Sequence, residues 1–530
     1  MERFAFIENK KYTLFLILSA FFSIVLAFIT IAKYGASVSG DGVIYLSVAD
    51  NLAVGKGFFD HTGAPLIWFP PLYPLFLALL KKITGADILR IGTAFQIFLL
   101  GINLILAGII FQKAFPKNPA YKYFGILFLI TSDTFLQQHL GIITEPLFIT
   151  LTSIFILAVG FYLDDPGRRA VPIMILTASF AFLTRWVGLS LILLGGILIL
   201  WKRRKALPLF LREGFIFGFF SSLPLLAWIL LHNIAKYHTL WGAAGMDSDP
   251  LLNLQLSLTR ILHWFLPLYP AENPIIGHPY IILSIILLPF LLINKKENWK
   301  GWIALLKTPF ILAGTLFGAI YFSALIFTIA TQDHIHVLST RYYPLLMLPV
   351  LLLLFATVEK LLLPHLLKKS KIWQWAGVLF LLLWSLYPIR SLYKYVQTTR
   401  KAEFSWTSKT YQELNWNSTG YHESPILAEL VELSQENPEI VIYSNYTDVV
   451  WLFTRHSVRM LPTASPDWTE ERVIEKHKNW AYTDSGYIMW FLPNAFEHIV
   501  SIETLAKIAD IKLVAHDQSG ELYIIKTKTR

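Results

Sequence analysis

No cysteine occurs in the 530 residues, so disulfide cross-links and thiolate chemistry are excluded from the start. Charge is also scarce: Asp, Glu, Lys and Arg make up 15% of the chain, against 55% hydrophobic residues. Soluble domains carry about 25% charged residues, and so weakly charged a chain cannot clothe a water-facing surface of this size. The class is integral membrane. A glycine-rich phosphate loop followed by Lys-Ser/Thr is missing, which counts against ATP-driven transport. Acidic residues inside the apolar runs are few, which counts against a proton-coupled transporter. Internal repeats and low-complexity segments are absent too.

What the chain does contain is a series of apolar runs near the ~20 residues that cross a bilayer as a helix. Eleven spans are expected, near 12–32, 88–112, 121–138, 143–162, 170–185, 187–201, 213–232, 279–294, 302–330, 342–358 and 372–392. The first lacks a small-residue cleavage site and reads as a retained helix rather than a signal peptide. Basic residues fall in alternate loops: Lys113, Lys117 and Lys122; Arg168 and Arg169; Lys202 to Lys205; Lys295, Lys296 and Lys300; Lys368, Lys369 and Lys371. By the positive-inside rule these loops and the amino terminus are cytoplasmic. The net charge of +10 is then a topology signal, and nucleic acid is not expected as a partner.

With an odd number of spans the carboxyl terminus lies across the membrane from the amino terminus. A long first loop, 33–87, is then extracytoplasmic, as are 236–278, 331–341 and the tail after Ser391. The expected fold is a polytopic α-helical membrane protein with a C-terminal external α/β domain. The membrane module is 1–392 and the soluble domain 400–530. In that tail "EIVIYS" (439–444), "GYIMWFL" (486–492), "KLVAHD" (512–517) and "ELYIIK" (521–526) read as strands. "DWTEERVIEKHKNW" (467–480) reads as an amphipathic helix, with Asp467 and Glu470 at capping-box spacing.

The candidate chemistry lies in the outer loops. "SGDGVIYLSVADNLAVGKGFF" (39–59) places Asp41, Tyr45 and Asp50 just after the first span. A helix starting at Gly42 would lie along the membrane surface. Asp41 serves equally as its N-cap or as a base held at the lipid–water boundary for a substrate with a lipid tail. "WFPPLYPLFLALLKK" (68–82) reads as an interfacial helix or an aromatic belt. Glu145, in "LGIITEPLF", sits at the outer start of a span. A first-turn acid before proline is ordinary, yet at this depth an acid is costly unless it is used. Arg185 in "AFLTRWVGL" and Arg341 in "STRYYPLLMLP" lie at the depth of a lipid phosphate, which guanidinium binds bidentately. Snorkelling explains either arginine singly. Tyr342 follows Arg341, and "QDHIH" before it offers Asp333, His334 and His336. Tyr45, Asp50, Tyr342 and His336 are taken as pocket or acceptor-side residues. No cofactor is assigned; a divalent metal is left open.

In order along the chain, "GDGVIYLSVADNLAVGKGF", "PPLYPLFLALLKKITG", "TEPLF", "LTRWVGL" and "RYYPLLMLPVLLLL" resemble the GT-C superfamily of membrane glycosyltransferases. The likeness in style is to bacterial relatives of dolichyl-phosphate-mannose protein mannosyltransferases and of the lipid A aminoarabinose transferase. That resemblance implies a catalytic acid at Asp41, a second acid at Glu145 and donor-phosphate binding by Arg341 and Arg185. It also implies a polyprenyl-phosphate sugar as donor and an acceptor hydroxyl on a lipid, glycan or protein, met at the extracytoplasmic face of the plasma membrane. Transfer would invert the anomeric centre. Two departures stand out: no "WWDYG"-like motif occurs in the tail, which disfavours transfer to asparagine, and Asp41 is followed by Gly42 rather than by a second acid. The alternatives are a lipid-linked sugar transporter or flippase and a non-catalytic cell-envelope scaffold. The clustering of candidate residues on one face favours chemistry there.

Overall fold

The computed structural model describes residues 10–166, 170–240, 250–266, 296–331, 340–366, 371–401, 415–465, 467–480, 486–492 and 498–527. Among them, eight helices are long and apolar enough to cross a membrane. They begin with α1 (Lys10–Thr30) and, after two shorter helices, α2 (Gly40–Ala53) and α3 (Leu72–Thr84), continue with α4 (Ile88–Ala114). Next come α5 (Pro119–Thr131), α6 (Asp133–Gln138), α7 (Glu145–Asp164), α8 (Ala170–Thr184), α9 (Leu189–Arg203) and α10 (Leu207–Trp228). Further helices cover Pro309–Thr331, Met347–Thr357 and Lys371–Lys401.

The expected span at 121–138 is divided at Ser132, whose hydroxyl accepts from the Phe135 amide at 3.1 Å and starts α6 as a separate helix. The run expected at 302–330 is likewise two helices, Lys296–Leu306 and Pro309–Thr331, because Pro309 favours a fresh first turn. The span expected at 279–294 lies outside the described residues.

α7 is the most enclosed of the long helices, with α4, α8 and the Pro309–Thr331 helix packed around it. Small residues permit the close approaches. A Cβ on Gly160 of α7 would fall 2.3 Å from the Phe310 ring, and one on Gly108 of α4 would fall 2.4 Å from Leu16 of α1.

The C-terminal region folds around a five-stranded sheet in the order β2-β1-β3-β5-β4. Its strands are β1 (Ile442–Ser444), β2 (Val458–Met460), β3 (Gly486–Phe491), β4 (Ala509–His516) and β5 (Gly520–Thr527). β1 runs parallel to β2 and β3, while β5 is antiparallel to β3 and β4. The four expected strands are present, and β2 is additional. The expected helix is shorter, Glu470–His477, and Thr469 rather than Asp467 caps it, accepting from the Arg472 amide at 3.4 Å.

Two short helices set the geometry near Asp41. α3 shows an exposed stripe of Leu75, Leu79 and Ile83 at helical spacing, as a helix on a bilayer surface requires. α2 does not lie on the surface as expected. It is buried along most of its length between α3, α4 and the Thr447–Thr454 helix of the C-terminal region, because its glycines, alanines and serine leave both faces thin enough to pack. It starts at Gly40, with Ser39 at the cap position and Asp41 in the first turn.

The segment entering α2 is pinned to the segment entering α7 by an isolated parallel bridge: Ser37 donates its amide to the Leu140 carbonyl at 2.8 Å and accepts from the Ile142 amide at 2.9 Å. Gly42 closes this junction, since a Cβ there would meet the Ile142 carbonyl oxygen at 2.9 Å and Val38 at 3.2 Å. Gly42→Ala is expected to destabilise the protein by about 1–3 kcal/mol through overpacking against backbone. Thermal unfolding in detergent measures it, and an unchanged midpoint would show that the junction can open without cost.

Candidate functional site

Four charged side chains from distant parts of the chain meet at the end of the helix bundle that carries the C-terminal sheet. Glu145, in the first turn of α7, is fully buried. Its Oε1 accepts from Arg341 Nε at 2.7 Å and lies 2.6 Å from Arg185 Nη1. Arg341 Nη1 donates onward to Asp41 Oδ2 at 2.7 Å. The group is therefore a continuous chain, Arg185–Glu145–Arg341–Asp41, with two positive and two negative charges. Exposure separates the acids: the Glu145 carboxylate is 0% exposed and that of Asp41 30%.

The local backbone aims each partner. Arg185 follows α8 in extended conformation and precedes a 3₁₀ turn, Trp186–Gly188. That turn folds back against the end of α8 so tightly that a Cβ on Gly188 would fall 2.4 Å from the Phe182 backbone. The fold-back directs the guanidinium inward, where Nη1 also donates to the Thr144 hydroxyl at 2.8 Å. Arg341 lies in a 3₁₀ turn ahead of Pro344. Gln138 Nε2 donates to its carbonyl at 2.9 Å, and Tyr321 OH donates to the carbonyl of Tyr342 at 2.9 Å. The Tyr342 ring lies beside both arginines, with guanidinium carbons 5.3 and 5.9 Å from its centroid.

Burial alone disfavours the Arg341 charge, but Glu145 and then Asp41 outweigh it and hold the guanidinium firmly protonated. The balance at Arg185 is the same, with Glu145 as the main compensating charge. Tyr45 of α2 is buried against Phe69 and Tyr73. That burial, reinforced by the negative charge of Asp41, raises its phenol well above the ordinary range and keeps it a neutral hydroxyl.

Asp41, Glu145, Arg185, Arg341, Tyr342 and Tyr45 thus lie together. Asp50 lies outside the cluster, because its carboxylate pairs with Lys81 of α3 and ties α2 to that helix. His336, with Asp333 and His334, lies outside the described residues. Sequence reasoning passed over Thr144, Gln138 and Gly188, which orient the arginines, and only the threonine beside Glu145 carried any signal.

Among the described residues no three His, Asp or Glu side chains gather as metal ligands. All three atoms that ion-pair with Glu145 and Asp41 belong to guanidinium N–H groups, surroundings that do not suit a divalent cation. A cavity of about 30 Å³ behind Pro344, lined by Asn103, Thr152, Ser153 and Met347 among others, has room for one or two waters and contains none of the four charged residues.

No family model matches the chain, and no curated protein matches its sequence. Its architecture is found in solved structures. ArnT from Cupriavidus metallidurans in the apo state superposes with a TM-score of 0.57 at 14% identity, over 97% of this chain and 98% of that one. The same protein bound to undecaprenyl phosphate gives 0.56 over the same extents. The oligosaccharyltransferase of Archaeoglobus fulgidus, in complex with Zn and sulfate, gives 0.50 at 14% identity over 90% of this chain and 67% of that one. The chain shares the fold of these solved structures.

Glu145 is the pivot of the ionic chain. Glu145→Ala would leave the guanidiniums of Arg185 and Arg341 facing each other across a buried gap and is expected to cost about 3–5 kcal/mol. Removing Arg185 as well should recover part of that loss, with a coupling energy of about 0.5–3 kcal/mol. Strict additivity in this double-mutant cycle would mean that the contact carries no energy.

Proposed function

We propose that the chain is a membrane glycosyltransferase. It moves a sugar from a polyprenyl-phosphate donor to an acceptor hydroxyl at the extracytoplasmic face of the plasma membrane, with the amino terminus cytoplasmic. The observation that carries this reading is the convergence of Asp41, Glu145, Arg185 and Arg341 at the bundle end beneath the C-terminal domain. The GT-C fold supports it, as does the undecaprenyl phosphate bound to one of the similar structures. The alternation of basic loops supports the orientation.

The exposures divide the roles. Asp41, open on one side, is the base that takes the proton of the acceptor hydroxyl. The acceptor oxygen bonds to the anomeric carbon as the carbon–oxygen bond to the phosphate breaks on the opposite side, so the centre inverts. The bonding pair leaves with the polyprenyl phosphate, and the guanidiniums of Arg341 and Arg185 stabilise the growing negative charge. Glu145 has no open side and acts as a positioning residue, fixing both guanidiniums for the donor. Arg341 is engaged by Asp41 at 2.7 Å, so a donor phosphate that binds Arg341 takes over that contact and releases Asp41 toward the acceptor. Tyr45, kept a neutral hydroxyl beside Asp41, is assigned to the acceptor side of the site.

The test is transfer from a panel of radiolabelled polyprenyl-phosphate hexoses and pentoses by the purified protein in nanodiscs. Asp41→Asn is expected to reduce turnover by about 10²–10⁴-fold while the protein remains folded. Normal turnover by Asp41→Asn would remove the base from the mechanism, and retention of label by every lipid would remove the activity.

A further inference from the structure

The segment that carries the proposed base is held from two sides. One side is the Ser37 bridge to Leu140 and Ile142 described above. On the other side the first described residues of the C-terminal region, Asn415, Trp416 and Asn417, run along 34–38 and hydrogen-bond to it. Val38 donates its amide to Asn415 Oδ1 at 3.0 Å, and Trp416 donates its amide back to the Val38 carbonyl at 2.8 Å. Asn417 Nδ2 donates to two carbonyls, Tyr34 at 2.7 Å and Ala36 at 3.0 Å.

The clamp has its own support. His422 stacks on the Tyr34 ring at 3.8 Å and 3°, and its Nε2 lies 2.8 Å from Asn417 Oδ1. Asn417 and Trp416 are buried, so these bonds form out of water, where a misaligned donor or acceptor is costly. A second contact grips the chain beyond α2. His61 reaches the start of the Thr447–Thr454 helix, with Nε2 3.1 Å from Asp448 Oδ1 and 3.2 Å from Thr447 Oγ1, while its amide donates to Ser47 Oγ of α2 at 3.2 Å. The C-terminal region therefore holds α2 through the segment that enters it and through the loop that leaves it.

We infer that Asn415 and Asn417 are positioning residues for Asp41, and that the C-terminal domain sets the catalytic helix instead of merely covering the site. This rests on the glycosyltransferase reading above. Asp41 begins three residues after Val38, and a displacement of about 1 Å in a reacting group can cost on the order of a hundredfold in rate. The two asparagines work through opposite ends of the amide. Asn417 acts toward 34–36 as a donor and Asn415 acts toward Val38 as an acceptor, so the same exchange of amide for carboxylate falls far more heavily on Asn417 than on Asn415.

The experiment compares Asn415→Asp, Asn415→Ala, Asn417→Asp and Asn417→Ala in the full-length protein in nanodiscs. Each is assayed with the radiolabelled donor that the wild type uses and by hydrogen exchange of peptides covering 34–43. Asn415→Asp keeps the oxygen that accepts from Val38 and gives up the longer 3.3 Å donation of Asn415 Nδ2 to the Asn417 carbonyl, so in both readouts it should stay closer to the wild type than Asn415→Ala. Asn417→Asp sets a carboxylate against two carbonyl oxygens and should lose about tenfold to a hundredfold in kcat, with the donor KM unchanged and faster exchange at 34–43. Both alanine variants should fall between. Equal behaviour of the isosteric Asp pair would overturn the inference, as would losses expressed in KM alone. If Asp41→Asn retained activity, the glycosyltransferase assignment of Asp41 would fail, and the exchange data would still decide whether the clamp orders 34–43. Should Asn417→Asp not fold, the Asn415 pair makes the same comparison, and similar kcat for its Ala and Asp forms would overturn the inference.

Discussion

A carboxylate with no access to water, lodged between two guanidiniums, is the constraint around which the described structure is organised. Glu145 on its own would be strongly disfavoured at 0% exposure, and each arginine would be disfavoured in turn without it. The three are tolerable only together, at 2.6 and 2.7 Å. They come from the start of α7, the turn after α8 and the turn before Pro344. One ionic contact thus fixes the relative depth of three segments of the bundle, and Arg341 extends the chain of charges to a fourth at Asp41. Buried ion pairs of this kind add little net stability against well-packed apolar groups, but they penalise every arrangement in which one partner is missing. Their effect here is on geometry. The turns at Trp186–Gly188 and Thr340–Tyr342 can adopt few other conformations without stranding a charge.

The C-terminal region joins this arrangement through backbone, not through charge. Residues 34–38 lie between the segment that leads to Glu145 and the segment that begins the described C-terminal region, with Ser37 bonded one way and Ala36 and Val38 the other. That alternation is the period of an extended chain, so one short segment serves both neighbours. The half-exposed acid of α2 is consequently located by the membrane helices and by the sheet domain at once. Asp50 and Lys81 add a third attachment, from α2 to the helix whose apolar stripe faces outward.

How much of this was legible in the sequence depended on how local the cause was. Apolar run length marked most of the long helices, and β-branched and aromatic runs marked four of the five strands, because both signals lie within a few adjacent residues. The acids and arginines were conspicuous because a charge beside an apolar run is costly and therefore seldom idle. Their pairing was not legible: Asp41 and Arg341 are 300 residues apart, and nothing in the spacing of two turns says that they face each other. The surface placement expected for α2 failed because its apolar positions were weighed by hydrophobicity when its small side chains mattered more. The roles of Asn415 and Asn417 carried no signal, since asparagines at the start of a polar tail look like ordinary linker residues until their partners in 34–38 are known. β2 has an arginine at its centre and a single buried residue, so it shows no apolar run.

The chain of four charges is not uniform along its length, and that asymmetry decides where it can open. At the Glu145 end the carboxylate is 0% exposed and Arg185 beside it 17%, so a charge separated there meets little water. At the Asp41 end both side chains reach solvent, 30% exposed for the acid and 24% for Arg341. There water can solvate what is released, and the contact approaches the regime in which an exposed ion pair contributes about 0–1 kcal/mol. On the proposed reading, a phosphate brought to the site by a lipid would compete for Arg341 at this weak end and leave the Glu145 contacts in place. The arginine can then change its anion without losing its position. On the proposed reading, the same displacement that seats the leaving group uncovers the base, and a donor without its phosphate would do neither.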